Sequence, residues 1–330
     1  MRSLLLAAAM LVTAPISAQA VDLEAIVQDH VLPRYANLAA ETQQLAATAA
    51  ADCTPDNAAL TQAYHSAFDA WIGVSHLRFG PSEQEDRAFA LAFWPDPRGA
   101  TPKTLAALLR EADPVVETPQ AFATVSVAAR GFYALEFLLF DPQFTETDDV
   151  AYHCALVQAV TADIATNAAA IFTAWDQGYG DLIATAGNDT YRTETEAAQQ
   201  FFTALTTGLE FTSSMRLGRP LGTFERSRPN RAEARRSGRS LRHVVLALDA
   251  TAELAALISD TNDAVSRDFA RALERATALE DPVFAGVADP GSRFRVEALQ
   301  NSVVTIYRTL LEDVGPGLGI TAGFNSLDGD

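Results

Sequence analysis

The sequence predicts an all-α protein built as two antiparallel helical bundles. Three observations predict it. Apolar residues recur every three or four positions through nearly every long segment. Thr, Asp or Asn, often followed by Pro, opens those segments, and Gly or Pro closes them. No region alternates apolar and polar residues between turn signals as a strand would.

The first helix is expected from Asp22 to about Ala51, with Leu23, Ile26, Val27, Val31, Leu38 and Leu45 near helical spacing and a kink at Pro33. Thr54-Pro55 should start a second, running to about His76. Residues 78–101 hold several Pro and Gly and read as an irregular connection. Thr101-Pro102 starts a short helix to Ala112, and Thr118-Pro119 starts one that ends near Phe140. A long helix from Asp148 to Asp176 stops at Gly178 and Gly180, and residues 178–192 are irregular. Thr193 to Arg216 is helical until Gly218, Pro220 and Gly222 break it. Asn230 caps a helix to Leu257, Asp260 or Thr261 leads one to Glu280, and Gly291 to Val314 is the last. Division near residue 185 gives an N-terminal bundle, 21–187, and a C-terminal bundle, 188–330.

Residues 1–20 are set apart. Arg2, the apolar stretch Leu4–Val12, Pro15 and Ala18-Gln19-Ala20 form the three regions of a secretory signal, so the mature chain is expected to begin at Val21. No Cys follows the cleavage site, and no lipid anchor on Cys is indicated. Nothing after residue 20 offers 18 consecutive uncharged apolar residues, so no transmembrane segment is expected in the mature chain. The expectation is an exported protein, periplasmic in a cell with an outer membrane.

Composition narrows the partners. Forty-two acidic against 24 basic residues give a net charge of −18, which phosphate repels, so nucleic acid is not an expected partner. With 48% apolar and 20% charged residues, the chain is not of disordered composition. Two cysteines, Cys53 and Cys154, in an oxidising compartment favour one disulfide. The alternative is two separately buried thiols.

Polar residues on core faces are the informative ones. Gly131 to Phe140 is apolar all round except at Glu136, so it should be buried on every side. Arg130, Tyr133 and Glu136 fall at i, i+3, i+6 and can line one side of a helix. A buried carboxylate must be paired, protonated or bound to a metal. Both an ion pair with an arginine and a buried ligand site stay open. Extending the face of Leu241, Val244 and Leu248 backwards places Ser240, Ser237 and Glu233 on the core side, in the first turns of the helix from Asn230. Nine arginines between Arg216 and Arg242 form a basic stretch in an acidic chain. It reads either as internal charge balance or as an anion or partner-docking patch. None of the five histidines stands in a His-x-x-His or His-Glu-x-x-His pair, and no Gly-x-Ser-x-Gly elbow is present.

These segments together resemble the imelysin-like family, within it the branch described as predicted periplasmic lipoproteins. The family's Gly-x-His-x-x-Glu motif has its counterpart at Gly131–Glu136, with Tyr133 in the histidine place. Trp71 and Arg78-Phe79-Gly80-Pro81 look like the family's Trp-containing helix and its ending. Glu233, Ser237 and Ser240 stand at the family's steps of 4 and 3, and Arg219-Pro220-Leu221-Gly222 and the tail Gly323 to Asp330 are similar to what this branch carries. The resemblance implies two helical bundles sharing a polar site, export, and a link to bacterial iron uptake or a peptidase activity.

On that basis Glu136, Tyr133 and Glu233 are expected to supply oxygen ligands to Fe(III) or another divalent or trivalent metal, as a bare ion or a small chelate. Arg78, Trp71, Arg130, Ser237 and Ser240 would position ligand or water. Tyr133 in place of His makes zinc and peptidase chemistry less suited to the site. In one alternative Tyr133 only donates a hydrogen bond to Glu136. In another the site is a structural Glu–Arg ion pair, and the protein docks to a periplasmic or membrane partner.

Overall fold

The structure, a computed structural model, describes residues 21–259 and 263–320. The secretory signal, the helix start at Asp260 or Thr261 and the tail motif lie outside the described residues. Among the described residues there are helices and turns and no strands.

The longer helices are α1 (Leu32–Ala51), α2 (Ala58–Val74), α3 (Ala100–Glu111), α4 (Gly131–Phe140) and α5 (Val150–Ala174) in the first half. The second half holds α6 (Glu194–Phe211), α7 (Ser240–Ser259), α8 (Asp263–Thr277) and α9 (Pro290–Thr309). Helix α1 packs against α2 and α5, and α5 carries α4. Helices α6 to α9 pack on one another in sequence, α6 also meets α9, and α2 meets α7 along a seam between the two groups. Buried apolar side chains form one cluster that crosses this seam. The Cys53–Cys154 disulfide is present, with Cα atoms 5.3 Å apart, and ties the end of α1 to the first turn of α5.

Several boundaries differ from expectation, each for a local reason. The helix expected from Asp22 takes a π-helical turn over Ile26–Val31, just before the missing N–H of Pro33. Helix α2 starts later than Thr54-Pro55, because the Asn57 side chain accepts from Ala59 N and does the capping. Helix α3 is capped by Asp96, which accepts from Ala100 N and Thr101 N at 2.9 and 2.8 Å. The helix expected over 118–140 is broken into Pro119–Phe122, a 3₁₀ turn Val127–Ala129, and α4.

The late starts and stops matter most in the second half. Helix α6 runs on through a π turn, Thr212–Leu217, and a last turn, Gly218–Leu221, ending at Gly222. Helix α7 begins only at Ser240, so Glu233 and Ser237 lie in a turn-rich segment and not in a helix. Within it Ala234 (φ 45°) and Gly238 (φ 73°) are left-handed, which no helix allows. Helix α5 breaks where expected, since Gln177 and Gly178 (φ 152°) leave helical geometry; beyond the kink a short helix, Gly180–Ala184, takes up part of the stretch read as irregular. The stretch 150–184 is long and apolar enough to cross a membrane; here α5 packs against α1 and α4.

Candidate functional site

Helix α4 is set into the core by a glycine. Gly131 has φ +74°, and a Cβ there would stand 2.2 and 2.3 Å from the carbonyl oxygens of Leu91 and Ala90. Only a residue without a side chain lets these backbones meet. This contact fixes the start of α4 against the strip that carries Trp94. Arg130, just before it, is not on the helix face. It forms a fork on Asp163 of α5, with Nε to Oδ2 at 2.9 Å and Nη2 to Oδ1 at 2.6 Å. The expected line of Arg130, Tyr133 and Glu136 is therefore only Tyr133 and Glu136.

Both acids singled out from the sequence are buried, Glu136 at 3% and Glu233 at 1% exposure. Their surroundings differ. Glu136 Oε1 accepts from Ser237 N and Ser237 Oγ, each at 2.9 Å, and no guanidinium among the described residues pairs with it. Burial raises its pKa above the ordinary carboxylate value, against the lowering effect of the Ser237 bonds.

Glu233 holds the charge. Tyr133 Oη donates to its Oε1 at 2.5 Å, and Arg216 Nε donates to its Oε2 at 2.8 Å. His243 Nδ1 stands 3.2 Å from the same Oε2. Burial alone would raise the Glu233 pKa, but the Arg216 guanidinium, then His243 and Tyr133, bring it down to about 2. Arg216 is itself buried and also donates to Thr212 Oγ1 and Ser75 Oγ, at 3.1 and 3.2 Å. Ser240 Oγ donates to the backbone oxygen of Glu233, fixing the turn that presents the carboxylate. The arginine ion pair expected at Glu136 is thus made at Glu233, and the hydrogen bond of Tyr133 goes to Glu233 instead of Glu136.

Above this network lies a cavity of about 280 Å³. Tyr133, Glu136 and Phe137 of α4 line one side, Trp94 and Asp96 the next, and Arg219, Asn230, Arg231 and Arg236 the far side. Trp94 stacks on Tyr133, with ring centroids 6.1 Å apart, and Arg219 lies 5.5 Å over the Trp94 ring. Arg236 is paired with Asp141 at 2.5 Å and sits 3.7 Å over Phe137.

Of the residues singled out earlier, Tyr133, Glu136, Glu233, Ser237 and Ser240 converge. Three do not. Arg78 pairs with Glu83 at 2.6 Å and lies over Phe89, Trp71 is packed in the core, and Arg130 serves Asp163; none of them lines the cavity. The basic stretch divides. Arg216, Arg236, Arg239 and Arg242 pair with carboxylates, whereas Arg219 and Arg231 have no carboxylate partner among the described residues. Sequence reasoning missed Trp94 and Asp96 as cavity residues, since neither sits in a periodic helix, and it named Arg219 only as one of the nine arginines of the basic stretch and in the Arg219–Gly222 match. The only signal was Trp94-Pro95-Asp96-Pro97, an aromatic among prolines in the irregular stretch.

The trio Glu136, Tyr133 and Glu233 does not fit a bare metal ion. Glu233 is already neutralised by Arg216, and Tyr133 keeps its proton because burial and then Glu233 push the phenol pKa well above its usual value. Among the described residues no three His, Cys, Asp or Glu side chains gather as a ligand set.

The sequence profile of the imelysin family (Peptidase M75) matches residues 31–310. The chain is similar to a protein named Iron-regulated protein A from Synechococcus elongatus, 24% identical over 89% of this chain and 85% of the relative. Among solved structures it resembles an imelysin-like protein from Psychrobacter arcticum 273-4, with a TM-score of 0.76, 22% identity, and 92% and 96% of the two chains covered. It also resembles a putative iron-regulated protein A precursor from Parabacteroides distasonis, with a TM-score of 0.69, 13% identity, and 89% and 94% covered.

Proposed function

This chain belongs to the imelysin family, and on that premise we propose that it is an exported, non-catalytic binding component linked to bacterial iron acquisition. Its ligand enters the cavity between α4 and the segment 229–237. The observation that carries the reading is that cavity: aromatic and cationic walls around Glu136, over an ion pair that is already satisfied. A relative named as iron-regulated, a similar structure named as a precursor, and the secretory pattern of residues 1–20 support the link to iron and to export. The protonated Tyr133 and the Arg216–Glu233 pair favour a small chelate over a bare ion as cargo.

The test is equilibrium dialysis of chelator-stripped protein against ferric citrate, with retained iron read by elemental analysis. Near-stoichiometric iron is expected, falling at least tenfold in Trp94→Ala, which removes the aromatic wall. No retained iron in the wild type would remove the reading. Cleavage of denatured polypeptide across a panel of divalent metals would put a peptidase in its place. A second reading has its own observation. The Arg216–Glu233 pair, closed by Tyr133, is what a family member turned to docking would keep as an internal brace. Wild-type protein that retains no iron would favour it.

A further inference from the structure

Arg219 and Arg231 stand out among the arginines of the basic stretch. Both line the cavity, and neither meets a carboxylate among the described residues. The Nε of Arg219 is buried without a hydrogen-bond partner, although its guanidinium is held over Trp94. A buried donor left unsatisfied is costly, and two cations turned to one space add repulsion. Burial, and then the charge of Arg231, lower the Arg219 pKa. Arg231 is exposed and solvated, but among the described residues no acceptor meets Arg219 Nε; an anion in the cavity would.

The facing wall narrows the ligand's chemistry. Glu136 spends Oε1 on Ser237, while its other oxygen makes no hydrogen bond among the described residues. A carboxyl group there can accept from a hydroxyl. Asp96, also on the wall, is committed to capping α3. The volume of about 280 Å³ lies at the small end of ligand pockets.

We propose that Arg219 and Arg231 form an oxyanion clamp, and that the cavity takes a small hydroxycarboxylate, free or as its ferric chelate, with its carboxylate on the arginines and its hydroxyl toward Glu136. This deepens the proposed function and rests on it. Arg219 forks on one carboxylate, with Trp94 beneath fixing its plane. Metal carried by such a ligand would be gripped through the chelator, with no protein side chain entering its coordination sphere.

The test is calorimetric titration of chelator-stripped protein with sodium citrate, sodium phosphate and ferric citrate at fixed ionic strength. Citrate alone should bind saturably and more tightly than phosphate. Arg219→Gln and Arg231→Gln should each weaken citrate at least tenfold. Arg242→Gln, whose arginine pairs with Asp69 outside the cavity, should leave it unchanged. Because Arg219 and Arg231 have no ion-pair partners among the described residues, their removal should not lower the melting temperature, and circular dichroism checks that the variants fold. Three results overturn the clamp: citrate binding that ignores both substitutions, phosphate binding tighter than citrate, or iron retained while citrate alone does not bind. In the last case the iron-linked reading survives. If neither citrate nor ferric citrate binds the wild type, both fall.

Discussion

Two polar clusters cross the seam between the helical groups, one buried throughout and one reaching solvent at Glu253, and they handle charge differently. Beside the cavity, Glu233 is ionised and held by Arg216, with Tyr133 and His243 around it. Further along, His30 Nε2 and His76 Nε2 meet at 3.0 Å, His30 Nδ1 lies 2.9 Å from Glu253 Oε1, and Arg34 pairs with Glu253 at 2.7 Å. Arg34 Nε also donates to His30 Nδ1, at 3.2 Å, so the carboxylate and the guanidinium ask opposite roles of that nitrogen. His76 Nδ1 is buried with no hydrogen-bond partner among the described residues. The first cluster buries its charge pair; the second buries two imidazoles and leaves the Arg34–Glu253 pair toward solvent. One should ignore pH over the physiological range, and the other should not.

The largest effect tests the permanent pair. Glu233→Gln leaves Arg216 buried without a counter-ion and should cost about 3–5 kcal/mol, read from urea unfolding at pH 7. A loss below about 1 kcal/mol would mean that water, not Glu233, neutralises Arg216.

The next concerns the rings. Burial lowers the pKa of both His30 and His76; for His76 the neighbouring His30, Arg34 and Arg216 add to this, and for His30 the Glu253 bond opposes it. Their folded pKa values lie below the unfolded value, so the unfolded chain takes protons first. Stability is therefore full above about pH 6.5 and falls as pH drops below it, by ~1.4 kcal/mol for each unit of separation. Unfolding midpoints between pH 8 and 5 should show the slope, and His76→Gln should flatten it. An unchanged slope in that variant would assign the dependence elsewhere.

A smaller effect separates the two acids. Glu136 has a raised pKa, so its stabilising neutral form is lost as pH rises through the folded value. Glu136→Gln keeps the oxygen that Ser237 needs and removes the charge, and should stabilise by less than about 1 kcal/mol at pH 7. The smallest effect lies outside both clusters. Arg78→Ala breaks a half-exposed pair with Glu83 and should cost about 0–1 kcal/mol in the same measurement, with no change in citrate binding.

The helices were legible because their apolar spacing is local, and so was the burial of Glu136 within an otherwise apolar run. The burial of Glu233 was legible for a partly mistaken reason. Its backward spacing from Leu241 and Val244 pointed to the core, yet left-handed Ala234 and Gly238 carry it there through a turn. Its partner was not legible. Arg216 reaches it from a π turn that continues α6, and only that turn aims one arginine among nine inward. The cavity wall at Trp94 and Arg219 depends on where irregular segments come to rest, which periodicity does not encode. The family motif, read for its chemistry, pointed to Tyr133 and Glu136 but gave Arg78 and Trp71 a role that their packing elsewhere does not support.

The glycine of that motif touches no ligand, yet it governs one dimension of the binding space. Because Gly131 rests directly on the carbonyls of Ala90 and Leu91, the acid-bearing helix and the tryptophan strip behave as jaws of a preset gauge whose opening is decided by main chain alone. A single methyl at that joint would widen the gauge before any contacting group had changed, so affinity would be lost at a position that inspection of the walls would never nominate.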